Sequence, residues 1–127
     1  MLRPRINIVS HWEIEVTEED VLTALRDVYD PELPVNIVDL GLVYRVAVAP
    51  DPDAPGTFSG MVPRQRVEID ITMTSKGCPS HERIIEQVRN RLAGVREISA
   101  TAVNLVWEPA WHPERISMAA RQQLGID

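Results

Sequence analysis

Between Val67 and Thr74 the side chains alternate strictly. Val67, Ile69, Ile71 and Met73 are apolar; Glu68, Asp70, Thr72 and Thr74 are polar. Period-two alternation is the pattern of a half-buried strand. Directly behind it come Ser75-Lys76-Gly77-Cys78-Pro79, and then a stretch placing Ile84, Ile85, Val88 and Leu92 on one helical face, with Glu86, Arg89, Asn90 and Arg91 on the other. Gly94 closes this helix as its C-cap, and Ile98 to Trp107 reads as a further strand. A strand, a helix and a strand in that order leave little freedom. The two strands run parallel, joined by a right-handed crossover through the helix.

The preceding half of the chain adds an antiparallel partner. Thr17-Glu18-Glu19-Asp20 is a helix start, a Thr cap followed by acids that suit the positive helix end. Val21, Leu22, Leu25, Val28 and Tyr29 recur on one face, and Asp30-Pro31 predicts the stop, because a residue before proline avoids the α region. Asp30 to Gly41, with two prolines and three carboxylates, reads as a structured loop; Leu42 to Val48 reads as a strand that pairs with the one at Val67. Pro50 to Pro63 is rich in proline and glycine and predicts an exposed loop over about 50–64. A last short helix follows Pro113 and ends near Gly125. The expected fold is α+β: a small mixed β-sheet with helices packed on one face, in the order helix-strand-strand-helix-strand-helix. Residues 1–16 are expected to be an N-terminal arm or extra strand with Trp12 as its anchor, and residues 17–127 one domain.

Composition excludes several classes. The chain of 127 residues carries 13 basic and 19 acidic residues, a net charge of −6, which repels phosphate backbones and argues against nucleic-acid binding. No stretch approaches the roughly 20 apolar residues of a membrane span. The run from Val35 to Ala49 is broken by Asp39 and Arg45, and no apolar run before Glu13 makes a signal peptide. A single cysteine fits a reducing cytoplasm.

That cysteine, Cys78, is the first candidate for chemistry. Pro79 suits the first helical position, which predicts Cys78 at the N-cap, where unpaired amides and the dipole favour thiolate over thiol. The alternative is a small buried hydrophobe. His81, three residues on, makes Cys-x-x-His a metal half-site or is simply a solvated first-turn residue. Asp30, Glu32 and Asp39 are turn and cap residues by one reading. By another they sit near the thiol, where three acids raise its pKa unless they face away or share a cation with it. Thr72 and Thr74, on the strand face opposite the apolar set, are either β-formers or donors to a sulfur. Trp107 and Trp111 read as a partner ledge or as anchors tacking the last helix onto the sheet, and His112 as a helix N-terminal polar residue.

Taken in order, Asp30-Pro31-Glu32 with Pro34, Asp39-Leu40-Gly41-Leu42-Val43-Tyr44, and Thr72 and Thr74 before Gly77-Cys78-Pro79 resemble the SufT and PaaD-type metal–sulfur cluster assembly domain, from about Val21 to Trp107. The ending Trp107-Glu108-Pro109-Ala110-Trp111-His112-Pro113-Glu114-Arg115 is similar to SufT in particular, and the cysteine-rich tail of PaaD-type proteins is absent. The Pro50–Pro63 loop is longer than the family's usual hairpin. The resemblance implies a cytoplasmic, non-enzymatic accessory factor in iron–sulfur cluster assembly, a homodimer whose partners are Fe–S apoproteins and other assembly components. It implies Cys78 as the functional thiol and Asp30, Glu32, Asp39, Thr72 and Thr74 as its supporting pocket. Clusters are normally held by several thiolates, so one cysteine points to transient handling of a cluster or iron rather than a permanently bound cofactor. Two other readings stay open: a thiol enzyme with Cys78 as nucleophile, and a non-catalytic adaptor.

Overall fold

The computed structural model of the chain describes residues 16–52, 64–76 and 81–125. Three helices, α1 (Glu18–Leu25), α2 (His81–Ala93) and α3 (Met118–Leu124), and three strands, β1 (Val43–Pro50), β2 (Gln65–Ile71) and β3 (Ile98–Leu105), follow in the order α1-β1-β2-α2-β3-α3, with a 3-10 turn at Pro113–Arg115. The sheet order is β1-β2-β3. β1 and β2 are antiparallel and β2 and β3 parallel, as the strand–helix–strand pattern requires. None of the helices among the described residues is long and apolar enough to cross a membrane.

The alternation in β2 does what a half-buried strand must. Val67, Ile69 and Ile71 are at most 2% exposed on the inner face. They join Val21, Ala24 and Leu25 of α1 and Ile84, Val88 and Leu92 of α2 in one core. Full burial of one such aliphatic side chain contributes roughly 1.5–3 kcal/mol, so this layer is the main source of cohesion. The helix α2 packs along β3 and against α1, and α1 reaches β1.

The helix α1 starts where the sequence places it. Thr17 Oγ1 accepts from the Asp20 amide at 3.1 Å, and Asp20 Oδ2 accepts from the Thr17 amide at 3.0 Å, closing a capping box. Its end differs from expectation. The helix stops at Leu25, well before Asp30-Pro31, and the Asp27 and Val28 amides make tighter bonds to the Ala24 and Leu25 carbonyls. The reason is tertiary competition. Residues 28–30 are extended and pair with residues 35–37, through Ile37 N–H to Val28 O, Asp30 N–H to Val35 O and a Tyr29–Asn36 bridge. The bridge turns Tyr29 outward, 51% exposed, instead of onto the helical apolar face.

The strand β2 also ends earlier than the alternation, at Ile71. Beyond it the Thr72 amide donates to Leu42 O and the Val106 amide donates to Ile71 O, so the chain is held by residues flanking β1 and β3. Gly94 follows α2 without the positive φ of a glycine cap; among the described residues only Gly41 and Gly125 have one. Two attachments limit the long β1–β2 connection at its base. The Asp51 amide donates to Arg64 O at 2.7 Å, and Ser99 Oγ donates to Asp51 Oδ2 at 2.7 Å. Residues 53–63 of that loop, and residues 1–15 of the arm, lie outside the described residues. Where the arm joins, the carboxamide of Gln65 bonds both the amide and the carbonyl of Val16.

The outer face of the sheet carries a charged network. Arg45 Nε lies 2.9 Å from Asp70 Oδ2 and its Nη2 lies 3.2 Å from Glu68 Oε1. Asn104 Nδ2 donates to both carboxylates at 2.9 Å. Arg45, and then Asn104, hold the Asp70 carboxyl below its ordinary range; Asn104, and then Arg45, do the same for Glu68.

Candidate functional site

The loop of residues 28–42 is built from its own polar side chains. Asp30, 9% exposed, accepts from the amides of Glu32 at 2.7 Å and Leu33 at 3.0 Å through one carboxylate oxygen, an Asx turn carried across Pro31. Asn36 Oδ1 accepts from the amides of Val38 at 3.0 Å and Asp39 at 2.9 Å, while its Nδ2 donates to Asp39 Oδ2 at 2.9 Å. Arg26 Nε approaches the other Asp39 oxygen at 3.9 Å. Val35, Ile37 and Leu40 anchor the loop from below, each at most 2% exposed.

Asp30 and Asp39 therefore hold backbone and amide partners, which is the turn-and-cap reading of these acids. Glu32 is exposed and enters the turn through its amide. Among the described residues no three His, Cys, Asp or Glu side chains converge as a metal site. Asn36 was not singled out from sequence. Its signal was present in Asn36-Ile37-Val38-Asp39, where a side-chain acceptor serves amides two and three residues on, as a helix cap does.

The C-terminal segment closes over this loop. Trp111 Nε1 donates to Leu40 O at 2.8 Å, and the Ser117 amide donates to Asp39 O at 2.8 Å. Tyr44 Oη donates to Pro109 O at 2.8 Å, and the Arg115 guanidinium lies 4.4 Å from the centre of the Tyr44 ring. Gln123 Nε2 donates to Pro34 O at 3.0 Å, fastening α3 to the same loop. Of the two readings of the tryptophans, anchorage is the one seen: Trp111 fastens to the loop through Leu40 O, and both Trp107 and Trp111 pack against the core. His112 caps the 3-10 turn, its side chain accepting from the Glu114 amide. The segment passes so close to Gly41, at φ 78°, that a Cβ there would lie 2.6 Å from both Cβ and O of Arg115.

Thr72 departs from expectation. It shares strand parity with Glu68 and Asp70 yet is fully buried, and its Oγ1 has no hydrogen-bond partner among the described residues. Its amide donates to Leu42 O at 2.8 Å, so it sits against the end of the Asp39–Leu42 loop. A buried hydroxyl left unpaired costs roughly 1–3 kcal/mol. Met73 beside it is also buried, Thr74 is half-buried and Lys76 is exposed. His81 is half-buried and opens α2 as described. Cys78, with Gly77, Pro79 and Ser80, lies outside the described residues, and so does its expected N-cap position. The described site is thus a hydrogen-bonded loop, a covering tail and one buried hydroxyl at the head of the segment that bears the only thiol.

Comparison with known proteins gives this arrangement a context. The family model described as "Iron-sulfur cluster assembly protein" matches residues 18–105. An Fe-S protein maturation auxiliary factor of Porphyromonas gingivalis is 38% identical over 110 residues, covering 87% of this chain and 92% of that protein. The Fe-S protein maturation auxiliary factor SufT of Staphylococcus aureus is 42% identical over 99 residues, covering 78% and 98%. The crystal structure of a domain of unknown function from Bacillus anthracis superposes with a TM-score of 0.71 at 39% identity, covering 87% of this chain and 92% of that one.

Proposed function

Because the chain belongs to the iron–sulfur cluster assembly protein family, we propose that it is an accessory factor that helps deliver clusters or iron to client apoproteins through Cys78. The cluster is cargo. One thiolate per chain supplies one of the several sulfur ligands a cluster normally takes, so the remaining ligands come from the client, a small thiol or a second copy. A reducing cytoplasm suits this work, since it keeps a lone thiol available. The role needs no catalysed bond change of a small substrate.

The observation that supports the reading best is the buried Thr72 hydroxyl, which has no hydrogen-bond partner among the described residues. A donor of that kind is suited to a sulfur-containing guest, because it meets the guest without first releasing another partner. Asp30 and Asp39 act in this scheme as positioning residues that fix the loop against Thr72, with Glu32 and Thr74 at its exposed and half-buried margins.

Anaerobic reconstitution with ferrous iron and sulfide tests the proposal. Wild-type protein is expected to retain iron and to show sulfide-to-iron charge-transfer absorption; Cys78→Ser is expected to retain neither. Equal iron in the two proteins would remove Cys78 as the sulfur that handles the cargo. A second expectation concerns Thr72→Val. Removing the unpaired hydroxyl at nearly constant volume is expected to raise unfolding free energy by about 1 kcal/mol, measured by urea titration, and to lower iron retention in the same reconstitution. A variant that is both more stable and fully active would leave the hydroxyl with no function.

A further inference from the structure

The core layer is unfinished along β3. On the inner face Val67 stands beside Thr101, Ile69 beside Val103 and Ile71 beside Leu105. The β2 members are at most 2% exposed, whereas the three β3 members are only half-buried. Above them on α2, Ile85 is half-buried and Arg89 and Ala93 are exposed, spaced four apart on one helical stripe. Arg89 and Ala93 line a groove with Ile98, Ser99, Ala100 and Thr101. The edge itself is unguarded. Ile98–Leu105 holds no charge and no proline, and no further strand pairs with it among the described residues. Such an edge invites another strand. The opposite edge, β1, carries Arg45, ends in Pro50 and has Tyr44 tied to the C-terminal segment.

The N-terminal arm has the pattern this edge lacks. Its even positions from residue 6 onward are Ile6, Ile8, Ser10, Trp12, Ile14 and Val16; its odd positions are Asn7, Val9, His11, Glu13 and Glu15. Only Val9 and Ser10 break a period-two alternation, the signature of a half-buried strand. The last even member, Val16, is 8% exposed, belongs to the core and is held by the Gln65 carboxamide. Gln65 pairs with Pro50 on one side and Ile98 on the other, so the arm joins the described chain at that end of the sheet, its foot. The residues matched by the family model begin at 18, after the arm.

We propose that residues 6–14 add to the free edge of β3 as a fourth strand antiparallel to it, with Ile6, Ile8, Trp12 and Ile14 on the face that α2 covers. Connectivity selects this edge. A strand that ends at the foot runs parallel to β1, and α1 then returns along the core face between the two. Beyond β1, the unit of arm, α1 and β1 would be a left-handed crossover. Beyond β3 it is right-handed, like the unit of β2, α2 and β3 on the same face. The reach suffices. From β2 to a strand beyond β3 is two strand spacings, roughly 10 Å, which about three extended residues span. The Arg64 guanidinium already takes Ile98 O at 2.8 Å, so pairing begins past that residue. The apolar face of the arm then completes the rows of Thr101, Val103 and Leu105 and closes the edge to foreign strands.

The inference stands apart from the role given to Cys78, and amide exchange in the full chain tests it. The Val106 amide donates to Ile71 O, so by alternation the amides of Thr101, Val103 and Leu105 point to the free edge. NMR hydrogen exchange of the wild-type chain is expected to show these three protected, with cross-strand NOEs to the arm. Ile8→Asp is expected to speed their exchange about tenfold or more. Asn7→Asp, one position away on the polar side, is expected to leave it unchanged. The Ile69 amide, on the central strand, reports whether either variant disturbs the core. Unprotected edge amides in the wild type, equal effects of the two substitutions, or NOEs from the arm to β1 would each overturn the proposal. Edge protection that grows with protein concentration, or edge NOEs seen only between labelled and unlabelled chains, would do the same by naming a second copy as the occupant.

Discussion

Replacing Cys78 by alanine is expected to abolish maturation of client iron–sulfur enzymes in cells while changing unfolding free energy by less than about 1 kcal/mol. The expectation follows from stoichiometry. No second thiol exists in the chain to take over, and neither the exposed Glu32 nor the carboxylates of Asp30 and Asp39, already engaged by amides and Asn36, are sulfur substitutes. The measurement pairs the activity of a client enzyme in cells with a denaturation curve of the purified variant. The opposite pattern, intact maturation with a large loss of stability, is what a buried, inert cysteine would give, and it would end the carrier reading. Silence in both would leave an adaptor.

Gly41→Ala is expected to cost about 3–4 kcal/mol, a large part of the 5–15 kcal/mol typical of a whole domain. Two penalties coincide there. A left-handed φ of 78° strains any residue with a Cβ by about 1–2 kcal/mol. That Cβ would also stand 2.6 Å from Arg115 O, a backbone atom that cannot swing aside. Relief requires the tail to lift, breaking the bonds from Trp111 to Leu40 O and from Ser117 to Asp39 O. Gly125 supplies the control. It has the same φ of 78° with nothing within 4 Å of a built Cβ, so Gly125→Ala is expected to cost only about 1 kcal/mol. Guanidinium midpoints of the two variants measure the difference. Equal losses would mean that the tail does not press on the loop.

The parts of the fold that sequence announced are those where one local rule had no rival. Alternation in Val67-Ile69-Ile71 and helical spacing in Ile84-Val88-Leu92 each met a partner surface of the same kind, and the crossover rule then fixed strand order. Thr17 and Asp20 closed their box within one turn. The α1 terminus was misjudged because its stop was read from Asp30-Pro31, whereas backbone pairing of residues 28–30 with residues 35–37 decided it. Thr72 escaped because its burial depends on chain beyond the strand, which period-two reasoning does not see. The C-terminal closure was half visible. The tryptophans advertised anchorage, but the approach of Arg115 to Gly41 joins residues far apart in sequence, and a lone glycine gives no hint of what will pass over it. For the site, the Asx chemistry of Asp30 was legible from its proline. The participation of Asn36 was legible only in retrospect.

The clamp at the foot of the β1–β2 connection bears on how chains of this kind diversify. Because Asp51, Arg64 and Ser99 fasten both ends of the connection, the register of the sheet is settled before the intervening residues are counted. Entropy penalises a longer connection only logarithmically, by about 0.6 kcal/mol for each doubling. Length at that position is thus nearly neutral for stability: a lineage can lengthen, shorten or rewrite the insert while the thiol-bearing half of the molecule inherits an unaltered frame.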